Sequence, residues 1–131
     1  MFEPTLDFRY AFDRESQEMY LVNTRANASE KERYIPADGL AAKDSYALIS
    51  VLPHAGFNGH IVLIGGLSPE GTAAAWQFVS DPKRWQVAMQ RCSLTEGLAR
   101  ESVQILLHLG VIVHAPNAVE VVTCHAHSNG R

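Results

Sequence analysis

The sequence predicts one domain of the α/β (α+β) class: a mixed β-sheet with two antiparallel hairpins, and two short helices packed after a central strand. Near both ends of the chain, apolar residues alternate with polar ones, which is the period of a half-buried strand. Between those regions, apolar residues recur with the period of an amphipathic helix. The 131 residues suit a single core, and 47% hydrophobic with 19% charged residues is an ordinary globular balance.

The first hairpin is predicted from an alternating segment and its return. The alternating apolar residues are Leu6, Phe8, Tyr10 and Phe12. A polar turn follows, and the segment MYLVN at 19–23 supplies the second strand. Residues 24–45 are polar and contain Pro36 and Gly39, so we expect a long surface connection without a firm element of its own.

The middle of the chain predicts two strands and then two helices. YALISVLP at 46–53 is one strand, and the uninterrupted apolar run from Ile61 to Ile64 is typical of a central strand covered on both faces. Ser68-Pro69-Glu70 is a strong helix start, with a serine cap and a proline in the first turn. The first helix should run to about Val79 and the second over 82–92. Their predicted buried stripes are Thr72, Ala75, Trp76 and Val79, and then Trp85, Ala88, Met89 and Cys92.

A long hairpin closes the chain. Its first strand has one apolar face, formed by Val103, Ile105, Leu107, Leu109, Val111 and Val113. Residues 115–118 are the predicted turn, and Val119 to His127 the returning strand. This turn places His108 opposite His125, with His127 on the same face. A turn one residue shorter or longer would put His108 on the other face.

Composition and charge restrict the classes of partner. The net charge is −3 and no basic stripe is present, so we expect no direct binding of nucleic acid by this chain. The apolar runs are too short to span a bilayer, and the N-terminus lacks the features of a signal peptide, so we expect a cytoplasmic protein without membrane contact. The two cysteines, Cys92 and Cys124, suggest no disulfide framework and no metal clip, and both fit buried, unreactive positions.

The loop between the apolar run and the first helix is the candidate ligand site. Unpaired N–H groups and the helix dipole at such a junction favour an anion. The loop matches no phosphate-binding motif, however, and Glu70 would repel a phosphate, so a structural turn or a site for an uncharged ligand is the alternative. The residues expected to line the site are Gly65, Gly66, Leu67, Ser68, Glu70, Gly71 and Thr72.

The histidines provide a second candidate site. His108, His125 and His127 would lie close enough on one sheet face to share a divalent metal, which would suit a small metal-dependent hydrolase. The same three side chains could simply be polar residues on a solvent-facing side. No nucleophile motif and no catalytic carboxylate pair is evident, so no catalytic residue and no cofactor is predicted.

Most of the chain resembles an uncharacterised bacterial domain that in several relatives follows a winged-helix or helix-turn-helix DNA-binding module. The resemblance rests on the order of LDFRYAFDRESQEMYLVN, YALISVLP, GHIVLIGGLSPEGTAAAWQFVSDP and the closing VEVV segment. The matching loop and helix positions are Gly65, Gly66, Glu70, Gly71, Thr72, Ala74, Ala75, Phe78 and Val79. The family has no established ligand or activity.

The resemblance implies a partial version of a longer domain, because relatives begin with an extra strand and carry the DNA-binding module. A missing strand would leave an open sheet edge, so we expect a homodimer paired through that edge. The leading hypothesis is a non-catalytic domain that senses a small ligand or mediates an interaction, like the sensory half of a bacterial regulator. The alternatives are the metal-dependent hydrolase and a purely structural dimerisation module.

Overall fold

Two antiparallel sheets and two helices form the fold in the computed structural model, which describes residues 6–38, 42–53, 60–92, 101–112 and 118–128. The elements are β1 (Phe8–Asp13), β2 (Glu18–Asn23), β3 (Arg33–Tyr34), β4 (Ala37–Asp38), β5 (Ala42–Pro53), β6 (His60–Gly66), α1 (Pro69–Ser80), α2 (Pro82–Arg91), β7 (Glu101–Ile112) and β8 (Ala118–Ser128). The α+β class with two hairpins and two helices is confirmed. Every strand pair in the described ranges is antiparallel, and the strands divide between two sheets.

The larger sheet lies in the middle of the molecule. It has five strands, with β5 and β7 at its centre, β8 at one edge, and β4 and β6 at the other edge of β5. One face packs against α1 and α2, and the opposite face against the smaller sheet of β1, β2 and β3. The core on the helix side consists of Ala47, Ile49, Val51, Ala75, Phe78, Ala88, Val103, Ile105 and Leu107. The core between the sheets consists of Phe8, Leu21, Tyr34, Tyr46, Leu48 and Leu106.

The helices begin where the sequence predicts, but the buried stripe of α1 is displaced by one residue. Ser68 caps α1 and Asp81 caps α2, each with its side chain accepting backbone N–H groups of the first turn. The buried residues of α1 are Gly71, Ala74, Ala75 and Phe78, whereas Trp76 is 59% exposed. Ala75 and Val79 of the predicted stripe contact the core, so the prediction was wrong chiefly for Trp76. The two sets of positions have the same helical spacing, and the small residues Gly71 and Ala74 allow α1 to lie close to the sheet. The stripe of α2 is confirmed, since Trp85, Ala88, Met89 and Cys92 all contact the core.

The prediction that β6 is a central strand was wrong, because β6 lies at an edge. Its one described partner strand is β5, through a continuous register from Ala47–Gly66 to Pro53–His60. The central strands covered on both faces are instead β5 and β7. An uninterrupted apolar run fits either a buried strand or an edge strand with an apolar surface, and periodicity alone does not separate the two.

The prediction of a structureless connection over 24–45 was also wrong. Two short strands, β3 and β4, lie within it, and β5 begins at Ala42 rather than Tyr46. Tyr34 of β3 is buried and stacks edge-on against Tyr46, with 5.4 Å between ring centroids. Strands of two residues are too short to produce a periodic signal in the sequence.

The closing hairpin exists, but its predicted register was wrong. His108 lies opposite Glu120, whereas His125 lies opposite Gln104 and His127 opposite Ser102. The register shifts between Leu106 and Leu107, where β8 contains an extra residue. The predicted turn residues 115–117 and Val113 lie outside the described residues.

Cys92 and Cys124 form a disulfide, which corrects the expectation of two unreactive thiols. The bond joins the residue that follows α2 to β8, across 32 residues of sequence. Both cysteines contact the core, as predicted. They meet because Cys92 follows the helix that packs on the face of the larger sheet to which Cys124 points. None of the helices in the described residues is long and apolar enough to cross a membrane.

Candidate functional site

An exposed apolar surface surrounds the edge strand β6. Ile61, Val62 and Leu63 are 41%, 44% and 52% exposed. Leu63 lies opposite Ser50 and Val62 opposite Val51, so the two side chains point to the two faces of the sheet. The strand therefore presents apolar side chains on both faces as well as an outer backbone edge that pairs with no strand among the described residues.

The β1–β2 hairpin extends this apolar surface. Tyr10, Phe12 and Met19 share the inward face of the smaller sheet with Phe8, yet they are 44%, 53% and 45% exposed. They are exposed because, in the part of the chain that the structure describes, the larger sheet ends at β6 and no strand lies beneath them. A groove of about 490 Å³ separates the hairpin from β6, with Tyr10, Met19 and Leu63 among its lining residues. We call Ile61, Val62, Leu63, Tyr10, Phe12 and Met19 the β6 surface.

The predicted ligand-binding loop is the junction between β6 and α1, and most of its N–H groups already have acceptors within the chain. The Gly66 N–H donates to Oγ1 of Thr72 at 3.0 Å, and the Leu67 N–H to the Tyr46 carbonyl at 2.9 Å. The Gly71 N–H donates to Oγ of Ser68, and the Thr72 N–H to the Ser68 carbonyl. With the Thr72 hydroxyl also engaged, the junction has the hydrogen bonding of a structural turn.

The space beside this junction has the wrong charge for an anion. A groove of about 470 Å³ lies next to Leu67 and Ser68. Three carboxylate residues, Glu18, Asp44 and Glu70, line it. The predicted residues are thus brought together, but carboxylates around them oppose the binding of a phosphate.

The two glycines of the junction permit two different close approaches. A Cβ added to Gly66 would lie 2.3 Å from the Thr72 nitrogen and 2.5 Å from the Gly71 carbonyl carbon. Gly66 therefore allows the end of β6 to contact the first turn of α1. A Cβ added to Gly65 would lie 2.3 Å from the Tyr10 hydroxyl, which donates a hydrogen bond to the Gly65 carbonyl.

The structure separates the three predicted metal ligands into a pair and a single residue. All three side chains lie on the face of the larger sheet that carries the smaller sheet. His108 contacts Asp44 at 2.9 Å and Glu120 at 3.3 Å. It lies four residues along β7 from Gln104, the partner of His125, which is about 13 Å at the rise of a β-strand. In the described residues, no three His, Cys, Asp or Glu side chains form a group that could hold a metal ion.

His125 and His127 instead form a polar cluster with two carboxylates that the sequence did not single out. Oδ2 of Asp7 lies 2.6 Å from Nδ1 of His125 and 2.8 Å from Nε2 of His127. Nε2 of His125 lies 2.9 Å from Oε2 of Glu30. The side chains of Asp7, Glu30 and His125 are 2%, 7% and 13% exposed. We call Asp7, Glu30, His125 and His127 the histidine–carboxylate cluster.

His125 carries a positive charge. Both of its ring nitrogens face carboxylate oxygens, which only accept hydrogen bonds, so both nitrogens carry a proton and the ring is an imidazolium. Burial would lower the pKa of His125, but its hydrogen bonds to Asp7 and Glu30 outweigh that effect and raise the pKa above 6.5. The ring lies between two carboxylates and is stabilised by them.

The carboxylates respond in the opposite direction. Burial would raise the pKa of Glu30, but hydrogen bonds from Thr123 and His125 lower it to about 2. Burial would likewise raise the pKa of Asp7, and the hydrogen bonds from His127 and His125 lower it below 3.8. Nε of Arg25 lies 3.5 Å from the other oxygen of Asp7, which adds a further positive charge.

The cluster joins three parts of the chain. Asp7 precedes β1, Glu30 lies in the segment between β2 and β3, and the histidines belong to β8. Gln104 of β7 contributes to the same attachment, because its Oε1 accepts the N–H groups of Asp7 and Phe8 at 2.8 and 2.9 Å. These contacts fix the smaller sheet onto the larger one. The chemistry supported here is therefore structural ion pairing.

Sequence reasoning identified His125 and His127 but not their partners. Asp7 and Glu30 are 118 and 95 residues away from His125 along the chain, and no local pattern links them. The alternation of Asp7 with Leu6 and Phe8 predicts a solvent-facing carboxylate, so its burial had no signal in the sequence. Comparison with protein-family models, curated proteins and solved structures finds no match for this chain.

Proposed function

We propose that the chain is an interaction domain that forms a homodimer by pairing β6 with β6 of a second copy. The observation that carries this proposal is the exposure of Ile61, Val62 and Leu63 on an edge strand. An edge strand with exposed apolar side chains is a template for pairing with another chain. Contiguous exposed apolar surface in a folded protein marks an interaction site.

Residues 60–66 carry none of three common features by which proteins block such pairing. Blocked edges commonly carry lysines, prolines or bulges. Residues 60–66 contain no lysine and no proline, and the register with β5 is unbroken. No acidic or basic side chain other than His60 is present to oppose a second copy of the same strand.

The β1–β2 hairpin supplies the second part of the proposed interface. In a dimer related by a two-fold axis, the same surface is used by both copies. Side chains of one β6, such as Leu63, would then lie beside the Tyr10 and Met19 side chains of the other copy. Burial of these groups adds apolar stabilisation to the backbone hydrogen bonds of the paired strands.

A charge placed at the proposed β6–β6 interface tests this proposal. Leu63→Lys introduces like charges that meet in a symmetric dimer, so it should convert the protein to a monomer. Val87→Lys is the control, because Val87 is similarly exposed at 56% but lies on α2, on the far side of the sheet. Sedimentation velocity over a wide concentration range gives the mass of each variant.

The expected result is a dimer for the wild type and for Val87→Lys, and a monomer for Leu63→Lys. A monomeric wild type at every concentration would overturn the proposal, as would a Leu63→Lys protein that remains dimeric. A cytoplasmic location, a sensory role and the relationship to regulator-associated domains stay predictions.

A further inference from the structure

We propose that the groove between α2 and β8 binds an acidic segment of a partner protein, which adds to β8 as an extended strand. This surface lies at the edge of the larger sheet opposite β6 and is separate from the proposed dimer interface. The groove has a volume of about 370 Å³. Its floor is apolar and includes Val87, Val119 and Val121.

The basic side of the groove follows from the helical spacing of α2. Arg84, Val87 and Arg91 are spaced i, i+3 and i+7, so they lie on one side of the helix, and Lys83 is one turn before Val87. This side adjoins the buried Ala88 and faces the edge strand β8. The helix therefore presents three cations along the groove.

These cations are available to an incoming anion. Within the described ranges, Lys83 and Arg91 form no salt bridge, and Arg84 has one exposed contact with Asp81 at 3.7 Å. Exposed pairs of that kind contribute little stability. Among the described lining residues the one carboxylate is Glu120, and it contacts His108 on the other face of the sheet.

The local charge contrasts with the charge of the whole chain. The net charge is −3, yet three of its 11 lysines and arginines line this one groove. A basic groove on an acidic protein favours a specific acidic partner, because the rest of the surface repels polyanions that are not seated there.

The edge of β8 defines the conformation of the partner. In the described part of the chain β8 pairs with β7 alone, so its outer N–H and C=O groups can accept another strand. In a strand added there, alternate side chains point toward α2. Arg84 and Arg91 are about 10 Å apart along the helix axis, a distance covered by two or three alternate residues of a strand. Acidic residues at alternate positions would thus meet the cations.

A nucleic acid is the weaker candidate for this groove. Its phosphates would contact the cations, but it has no backbone N–H and C=O groups to pair with the strand edge and no aliphatic side chains for the valine floor. Nucleic-acid sites typically contact many phosphates through lysines and arginines, and three cations are few for such a site.

The test uses a fluorescein-labelled peptide of alternating glutamate and valine, titrated with the whole chain and followed by fluorescence anisotropy. Lys83→Glu reverses one charge of the groove, and it should fold well because an acidic residue is favourable in the first turn of a helix. Arg91→Glu is the second variant. Lys31→Glu is the matched control, since it makes the same change in net charge at an exposed position outside the groove.

The expected result is saturable binding to the wild type and to Lys31→Glu, and affinity about tenfold weaker or worse for Lys83→Glu and Arg91→Glu. The backbone amides of β8 should also gain protection from hydrogen exchange when the peptide is bound. Equal weakening by Lys31→Glu, binding without protection of β8, or no saturable binding would overturn the proposal. Displacement of the peptide by oligothymidylate at lower concentration than by unlabelled peptide would do so too.

Discussion

Oδ2 of Asp7 lies 2.6 Å from Nδ1 of His125, although the two residues are 118 positions apart in the chain. This contact brings the segment before the first strand onto the last strand. Because Glu30 holds the other nitrogen of the same ring, the attachment depends on one proton-bearing group placed between two carboxylates. Its strength should therefore depend on pH.

We expect the free energy of unfolding to be highest between about pH 5 and pH 6.5. The pKa of His125 is raised on folding, so its contribution is complete below 6.5 and is lost as the pH rises through the folded value. The pKa values of Asp7 and Glu30 are lowered on folding, so their contributions are complete above 3.8 and 4.5 and are lost as the pH falls. Urea unfolding at a series of pH values measures the profile.

His125→Gln separates this cluster from other titrating groups. The variant keeps one donor but no positive charge, so it should lose about 1.5–3 kcal/mol at pH 6, the usual contribution of hydrogen bonds to charged groups. Its stability should then change much less than that of the wild type between pH 6.5 and 8.5. A variant with an unchanged alkaline decline would show that another group causes it.

Gln104 should be important for stability although it bears no charge. Its side chain is 3% exposed, accepts the Asp7 and Phe8 N–H groups, and donates to Oγ of Ser50. Gln104→Met keeps the volume but leaves these groups unpaired, which should cost about 2–4 kcal/mol in urea unfolding. Ser50→Ala, which removes one of the contacts, should cost about 1 kcal/mol. Equal costs for the two variants would refute this role.

The polar attachment could not be predicted from the sequence, because it depends on the register of the last hairpin. The predicted turn placed His108 opposite His125, whereas the pairing of Gly110 with Ala118 and the extra residue in β8 place Gln104 there. Hydrophobic alternation identified the strands, since each has a buried face. It did not determine which residue lies opposite which, because several registers separated by even steps bury the same face.

The two glycines of the β6–α1 junction should respond differently to alanine. Gly66→Ala brings a Cβ against the backbone of α1, so we expect a loss of more than about 2 kcal/mol, typical of overpacking at a site that cannot relax. Gly65→Ala meets the hydroxyl of Tyr10, which can move, so the loss should be smaller. Thermal unfolding of both variants measures the difference.

Tyr10→Phe is the control for this comparison, because it removes the hydroxyl that an alanine at Gly65 would meet. The double variant Gly65→Ala/Tyr10→Phe should be less destabilised than the sum of its single changes, and Gly66→Ala/Tyr10→Phe should be additive. Additivity in both pairs would show that the close approach of Tyr10 to Gly65 is not the cause.

The helix boundaries were predictable and the position of β6 was not, for physical reasons. Ser68 and Asp81 cap their helices through bonds to residues two or three positions away, so the signal is local. Whether Leu63 is buried depends on which strand lies beside it, and that information is not local. The exposure of Tyr10 and Phe12 was not predictable for the same reason. Their alternation identifies a strand with an apolar face, but it does not show whether another sheet covers that face.

The disulfide between Cys92 and Cys124 should stabilise the attachment of α2 to the sheet. A cross-link that spans 32 residues restricts the unfolded chain, and removal of such a bond typically costs about 2–4 kcal/mol. Cys92→Ser/Cys124→Ser should unfold at a lower temperature than the oxidised wild type, and a reductant should lower the wild type to nearly the same temperature. Thiol titration of denatured, unreduced protein should detect no free thiol.

The outcome also bears on the predicted cytoplasmic location, because stable disulfides are characteristic of oxidising compartments. Two free thiols in protein isolated with rapid alkylation, and a melting temperature insensitive to reductant, would show that the bond is absent in the cell of origin. A closed bond with the expected loss on reduction would favour an oxidising compartment, since a cytosolic protein would seldom retain a structural disulfide on which its last strand depends.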